Sequence, residues 1–314
     1  MNKYKFSAVR FYVTEKCNAS CPNCFNAQTR SNSEMDLTKF TQLCEYFNKN
    51  EVRTLKIMGG EPSIHKDFLS LISIAQKYFK HICIFSNGLS KELENIVLRE
   101  NDSVIYNFRF AKAWNLERFV LNQPGKRVFE VQVNPNTDVM DLVSQIKKFI
   151  REEKNRFSVS LTLDCTSDIF SEKKEVVPKL LEIEKLLNEA NIHFSYDHKI
   201  PFCYLYNTGI HTGKDGICKF TTSCLIDSNF NLRFCNQHPE KIMNIFNGDK
   251  IIPWPIIQNH LLEKYYELQI SALNKVCRNC IFFDDVCNGG CWINSMKITK
   301  QSIMANTDFP IKQN

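Results

Sequence analysis

The first two hundred residues alternate between two periodicities. Apolar and β-branched residues crowd positions 6–14, 54–58 and 81–85, the texture of buried strands. Between them, Leu37, Phe40, Leu43, Cys44 and Phe47 recur at helical spacing and predict a helix over 36–49, while Phe68, Leu69, Ile72 and Ala75 predict a second over 65–79. Gly59-Gly60 and Asn87-Gly88 punctuate the second and third strands. The alternation continues with strands at 103–108, 128–133 and 157–163 and helices at 139–151 and 173–191. Strands alternating with helices predict a parallel sheet with crossover connections, and about six such units fit before residue 192. The expected class is α/β, closed as a partial (β/α)6 barrel of the TIM type. Past residue 200 the texture changes: eight cysteines lie from Cys203 to Cys291, with one helix predicted over 261–273. The expected division is a barrel over 1–195 and a small cysteine-rich domain over 196–314.

Composition narrows the setting. The chain has 314 residues, 43% hydrophobic and 24% charged, which suits a globular protein with a sizeable core. A net charge of +6 is too mild to argue for nucleic acid, though it favours an acidic peptide partner. Residues 1–10 lack the apolar core of a signal peptide, and no apolar stretch is long enough to span a bilayer, so a cytoplasmic protein without a membrane partner is expected. Fourteen cysteines in a reducing compartment point to metal or cluster ligation rather than disulfides.

Cys17, Cys21 and Cys24 place three thiols within eight residues, directly after the first strand. In a parallel barrel the loops at the C-terminal strand ends build the active site. Three close thiolates suit an iron–sulfur cubane with one iron free for another ligand. A structural zinc site would want a fourth ligand, and the nearest histidine in sequence, His65, is distant.

The C-x3-C-x2-C spacing after a first strand resembles the signature of the radical S-adenosylmethionine (SAM) superfamily. The resemblance implies a [4Fe–4S] cluster on Cys17, Cys21 and Cys24, whose open iron chelates SAM. It further implies cleavage of SAM to a 5′-deoxyadenosyl radical. The family commonly has an aromatic residue before the third cysteine. Here that residue is Asn23, and Phe25 follows the cysteine as the candidate adenine contact. Gly59-Gly60-Glu61-Pro62, after the second strand, resembles the motif that contacts the SAM amino group. Glycines permit close backbone approach, and a carboxylate accepts from an ammonium. Ser86 and Asn87, ending the third strand, and Asn134, after the fifth, resemble the polar residues around the ribose and carboxylate.

Cys277-x2-Cys280-x6-Cys287-x3-Cys291, with Cys218, Cys224 and Cys235 upstream, is similar to the SPASM-type extension that holds auxiliary [4Fe–4S] clusters. Carried over, the resemblance implies one auxiliary cluster on Cys218, Cys224, Cys235 and Cys291. A second would take Cys277, Cys280 and Cys287, with Cys203 as the candidate fourth ligand. The pattern departs from the family in its six-residue third gap, in Phe230 where a turn glycine is usual, and in having no cysteine after Cys291. Taken without its neighbours, the last four-cysteine run also suits a zinc ribbon. Cys44, Cys83 and Cys165 read as core or rim cysteines.

SPASM-bearing relatives imply an oxidoreductase-type maturase that crosslinks or otherwise oxidatively modifies a ribosomally made peptide or protein. An external electron donor such as flavodoxin or ferredoxin is expected. Because the barrel begins at about residue 6, leader recognition is expected to need a separate leader-binding protein or the barrel surface. The alternatives are a sulfatase-maturase-like reaction, peptide epimerisation, action on a small molecule, and, from a different class, a non-catalytic zinc-binding protein. The residues identify no catalytic acid or base.

Overall fold

The computed structural model describes residues 6–21, 24, 26, 31–114, 124–150, 156–163, 170–196, 204, 208, 223–235, 238, 240–272 and 301. In chain order its elements are β1 (Ala8–Thr14), α1 (Leu37–Lys49), β2 (Thr54–Gly59), α2 (Phe68–Tyr78), β3 (His81–Ser86), β4 (Ser103–Asn107) and β5 (Lys126–Val133). There follow α3 (Val139–Ile150), β6 (Phe157–Leu163), α4 (Lys173–Glu189), β7 (Phe194–Tyr196), β8 (Ser223–Ile226), β9 (Asn231–Arg233), β10 (Lys241–Asn244), β11 (Phe246–Asn247), β12 (Lys250–Ile251) and α5 (Trp254–Ala272). The expected α/β class with a parallel sheet is what forms. The chain divides into two compact units, residues 1–129 with 219–265 and residues 130–218 with 266–314.

In the first unit β1 pairs in parallel with β2, β2 with β3, and β3 with β4. The other edge of β1 is covered by β8, also parallel, to which β9 and then β10 add antiparallel. These last three strands follow residue 195, where the sequence showed no periodicity; they are too short to carry one. Side chains alternate across β1 as the pleat requires. Phe11 packs its ring against Phe40 and Phe47 of α1, at centroid distances of 5.6 and 5.7 Å. Tyr12, on the opposite face, joins Met58 of β2 and Leu225 of β8, with Phe85 of β3 packed alongside.

Helix α1 starts where Asp36 accepts a hydrogen bond from the Lys39 amide, an N-cap. Helix α2 starts three residues later than its periodicity suggests, because Pro62–Ile64 form a 3-10 turn and His65 Nε2 is tied to the Met35 carbonyl, at 3.1 Å. Helix α5 starts at Trp254, seven residues before the expected 261; its indole packs edge-on against Phe6 and Phe47. In the second unit β7 pairs in parallel with β6, and Tyr196 donates to Glu184 of α4 at 2.6 Å. Among the described residues no helix is long and apolar enough to cross a membrane.

At the N-terminal ends of β3 and β4 a buried carboxylate gathers the chain. Asp102 accepts from the Ile82 amide, the Gln76 side chain, and the Arg99 amide and guanidinium, all within 3.1 Å. Burial alone would raise its pKa. The Arg99, Gln76 and Ile82 hydrogen bonds outweigh that and hold the carboxyl below its ordinary range. A depressed folded-state pKa adds stability that is present above the unfolded value and is lost as pH falls through the folded one. Asp102→Ala is therefore expected to cost about 3 kcal/mol in urea unfolding at neutral pH, by leaving buried donors unpaired. The gap between variant and wild type should shrink in acid.

Candidate functional site

Strand β1 ends at Thr14, and the loop that follows carries Cys17, Cys21 and Cys24, all half-buried. Its base is closed by the Glu15 amide donating to the Ser33 carbonyl at 2.9 Å and by the Met35 amide donating to the Val13 carbonyl at 2.7 Å. Lys16 pairs with Glu34 at 2.8 Å across the same base. The loop therefore leaves and re-enters the sheet at one point, the C-terminal end of β1. Among the described residues no three His, Cys, Asp or Glu side chains stand close enough together to hold a metal ion. The donor set itself is three soft thiols without carboxylate or imidazole, which suits iron–sulfur ligation.

The second strand supports this loop by contact. The Gly60 amide donates to the Thr14 carbonyl and the Glu61 amide to the Lys16 carbonyl, both at 2.8 Å. A Cβ on Gly59, whose φ is +143°, would lie 2.2 Å from the Thr14 oxygen, and one on Gly60 would lie 1.9 Å from the Lys16 oxygen. Sequence reasoning gave these glycines to the approach of a ligand. The space a side chain would take is filled by the backbone that leads into Cys17.

Glu61 is buried and its carboxylate is engaged within the protein. Oε1 accepts from the Ser63 amide at 3.1 Å, the Ser63 hydroxyl at 2.5 Å and the Ser86 hydroxyl at 2.8 Å. Oε2 accepts from the Asn87 amide at 2.6 Å. Burial raises its pKa, opposed by these bonds. Glu61 thus joins the end of β2 to the end of β3, and Pro62 opens the 3-10 turn that holds Ser63 in place. Asn87 extends the network: its side-chain amide donates to Asn18 Oδ1, beside Cys17, at 2.7 Å, and its carbonyl accepts from Trp114 Nε1 at 2.8 Å.

The structure therefore brings Gly59, Gly60, Glu61, Pro62, Ser86 and Asn87 together around the cysteine loop. Asn134 lies in the second unit, where its amide donates to Thr137 Oγ1 and its Oδ1 accepts from the Asn136 amide. Phe25, Cys203, Cys218, Cys277, Cys280, Cys287 and Cys291 lie outside the described residues. Cys224 is in β8 and fully buried, which pushes its thiol up to about 12. Cys235, also buried, follows β9; the pKa of Tyr12 is raised first by burial and then by the Cys235 charge. Cys44 and Cys83 are buried, as expected of core cysteines.

Sequence reasoning missed Asn18, Ser63, Trp114, Ser33 and Ser228. Ser228, in the turn between β8 and β9, stands 2.6 Å from the Ser33 hydroxyl and donates weakly to Glu15 at 3.5 Å. Both ends of the cysteine loop are thereby pinned to that turn. Single serines and asparagines carry no local signal; only Asn18, adjacent to Cys17, was within reach of a motif argument.

Residues 11–105, the span from β1 through β4, match the Radical SAM superfamily model. The chain carries a radical SAM domain. The chain is 32% identical over 93 residues to a probable GTP 3′,8-cyclase of Archaeoglobus fulgidus, 29% of this chain and 31% of that protein. It is 25% identical over 89 residues to the antilisterial bacteriocin subtilosin biosynthesis protein AlbA of Bacillus subtilis, 28% of this chain and 20% of that one. The matches thus span about a third or less of these curated relatives. By fold, the chain resembles Streptococcus suis SuiB bound to its precursor peptide SuiA, with a TM-score of 0.66 at 15% identity, covering 96% of this chain and 76% of that one. The likeness supports the mixed α/β fold expected of a partial TIM-type barrel.

The glycine contacts give a sharp test of the radical SAM domain. Gly60→Ala should displace the Lys16 carbonyl and lower iron content after anaerobic reconstitution to below half of wild type. Gly248→Ala, at a φ of +61° with open space around its Cβ, should cost about 1 kcal/mol of stability and leave the iron content unchanged.

Proposed function

We propose that this protein is a radical SAM enzyme that oxidatively modifies a ribosomally made peptide or protein. The observation that carries the reading is the three-thiol loop at the end of β1, inside the segment that matches the superfamily and braced by Gly59-Gly60. Cys17, Cys21 and Cys24 would hold the [4Fe–4S] cluster. When bound there, cluster and SAM supply reductive cleavage of the sulfonium to a 5′-deoxyadenosyl radical, which removes hydrogen from a substrate carbon. An external donor such as flavodoxin or ferredoxin would supply the electron.

The protein's own part is placement. Gly59 and Gly60 at the end of β2, and Ser86 and Asn87 at the end of β3, are tied to the cysteine loop and to Glu61 and would shape the SAM site by holding that loop in place. The Glu61 carboxylate fixes those backbones relative to each other. Phe25 would serve as the adenine contact and Asn134 as a ribose contact. Residues 196–314 would add a cysteine-rich module, with auxiliary centres drawn from Cys203, Cys218, Cys224, Cys235, Cys277, Cys280, Cys287 and Cys291. A peptide substrate is favoured by the resemblance to SuiB, described in complex with a precursor peptide, and to the subtilosin biosynthesis protein. A separate leader-binding protein fits this reading.

A second reading has its own support. The GTP 3′,8-cyclase match has the higher identity of the two relatives, and it favours a nucleotide or other small molecule as substrate.

Anaerobically reconstituted protein with SAM and dithionite is expected to release 5′-deoxyadenosine, and Cys21→Ala to lower that rate by at least a hundredfold. Zinc without iron and sulfide, or an unchanged rate in Cys21→Ala, overturns the assignment. The substrate is read by mass: a loss of hydrogen on a candidate peptide supports the peptide reading, and turnover of GTP alone supports the second.

A further inference from the structure

Asn87 is a junction at which every polar group has a partner. Its amide donates to Glu61 Oε2 at 2.6 Å, and its carbonyl accepts from Trp114 Nε1 at 2.8 Å. Its side-chain Oδ1 accepts from the Leu89 amide at 2.9 Å, and its Nδ2 donates to Asn18 Oδ1 at 2.7 Å. The backbone contacts that close the base of the cysteine loop reach Thr14, Glu15 and Lys16. The Asn87–Asn18 bond lies past them, on the other side of Cys17. Cys17 therefore has a tie on each flank: Lys16 to the end of β2, and Asn18 to the end of β3.

What holds Asn87 lies outside that loop. Gly88 follows it at a φ of +77°, so the chain turns at a residue with wide backbone freedom. A fixed carbonyl there sets the Asn87 backbone, and with it the direction of the Asn87 side chain. The indole that fixes the carbonyl is buried and is itself held. After β4 the chain forms a 3-10 turn over Phe108–Ala113, and the Trp114 amide donates to the Ala111 carbonyl at 3.1 Å. The turn lays Trp114 against Tyr106, Phe108 and Phe129, at ring-centroid distances of 5.5, 5.7 and 5.9 Å. Packing alone would be served by any large ring; a buried indole N–H needs an acceptor, and here it meets the Asn87 carbonyl. Trp114 stands nine residues past the end of the segment 11–105 that matches the superfamily.

We infer that Trp114 is a positioning residue for the cysteine loop. Its indole N–H holds the Asn87 carbonyl, Asn87 holds Asn18, and Asn18 holds the chain beyond Cys17. The inference rests on the reading of Cys17, Cys21 and Cys24 as the cluster site, and its first test uses the full-length chain free of iron. Trp114→Phe keeps a ring in the aromatic block and deletes the donor. Iodoacetamide labelling read by mass spectrometry should then find Cys17 alkylated about fivefold faster than in the unaltered chain, the worth of one hydrogen bond. The buried Cys44 of α1 should react no faster, which separates a loosened loop from a loosened core. Asn18→Ala should give a similar gain at Cys17, and the double variant no more than the larger single one, because both cut the same path. After anaerobic reconstitution, Trp114→Phe should raise KM for SAM about fivefold and leave kcat for 5′-deoxyadenosine formation nearly unchanged, since a loosened loop weakens binding by that one hydrogen bond. The inference is overturned if Trp114→Phe leaves Cys17 labelling unchanged, or speeds Cys44 as much as Cys17. It is equally overturned if the gains of the two substitutions multiply, or if kcat falls at constant KM. Failure of the radical SAM reading shows separately: the unaltered chain then releases no 5′-deoxyadenosine, while the labelling arm still decides the role of Trp114.

Discussion

Everything at the candidate site depends on one contact of backbone with backbone. The end of β2 lies so close to the end of β1 that no side chain fits between them at Gly59 or Gly60. Two amide-to-carbonyl bonds then fix Thr14 and Lys16, and so fix where Cys17 emerges. The constraint is steric before it is chemical: a single methyl group at either position must push the cysteine loop off its base. The glycines act on any bound cofactor through the loop they hold.

Two buried carboxylates divide the labour of the sheet. Asp102 draws together the N-terminal ends of β3 and β4 with the end of α2, far from the cysteine loop along the strands. Glu61 does the corresponding work at the C-terminal ends, binding the β2 end to the β3 end and, through Asn87, to Asn18. The first favours stability, the second a fixed geometry beside the thiols. That split between the two ends of the strands is the usual one in parallel α/β architecture. The turn between β8 and β9 adds a third support, because Ser228 and Ser33 link residues 195 apart and close the cysteine loop from the far side of β1.

The relatives divide on substrate while agreeing on the domain. A fold shared with SuiB, which binds a precursor peptide, and 93 residues of sequence similarity to a probable GTP 3′,8-cyclase are what one scaffold serving several chemistries looks like. The family match ends at residue 105, before β5.

The sequence by itself determined the strands and helices from β1 to α4, because apolar positions at periods of two and 3.6 state which face is buried. It also determined the three-thiol loop and the Gly-Gly-Glu-Pro turn, whose residues are neighbours in the chain. Tertiary structure decided what depends on the pairing of distant segments. It placed β8 beside β1, spent the Glu61 carboxylate on Ser63, Ser86 and Asn87, and brought Ser228 to Ser33. It also turned Cys224 toward α1, as the partner of Val9 on the face where Phe11 meets Phe40 and Phe47. Spacing counts residues along one chain, whereas the face a cysteine occupies is set by the register of the strand beside it.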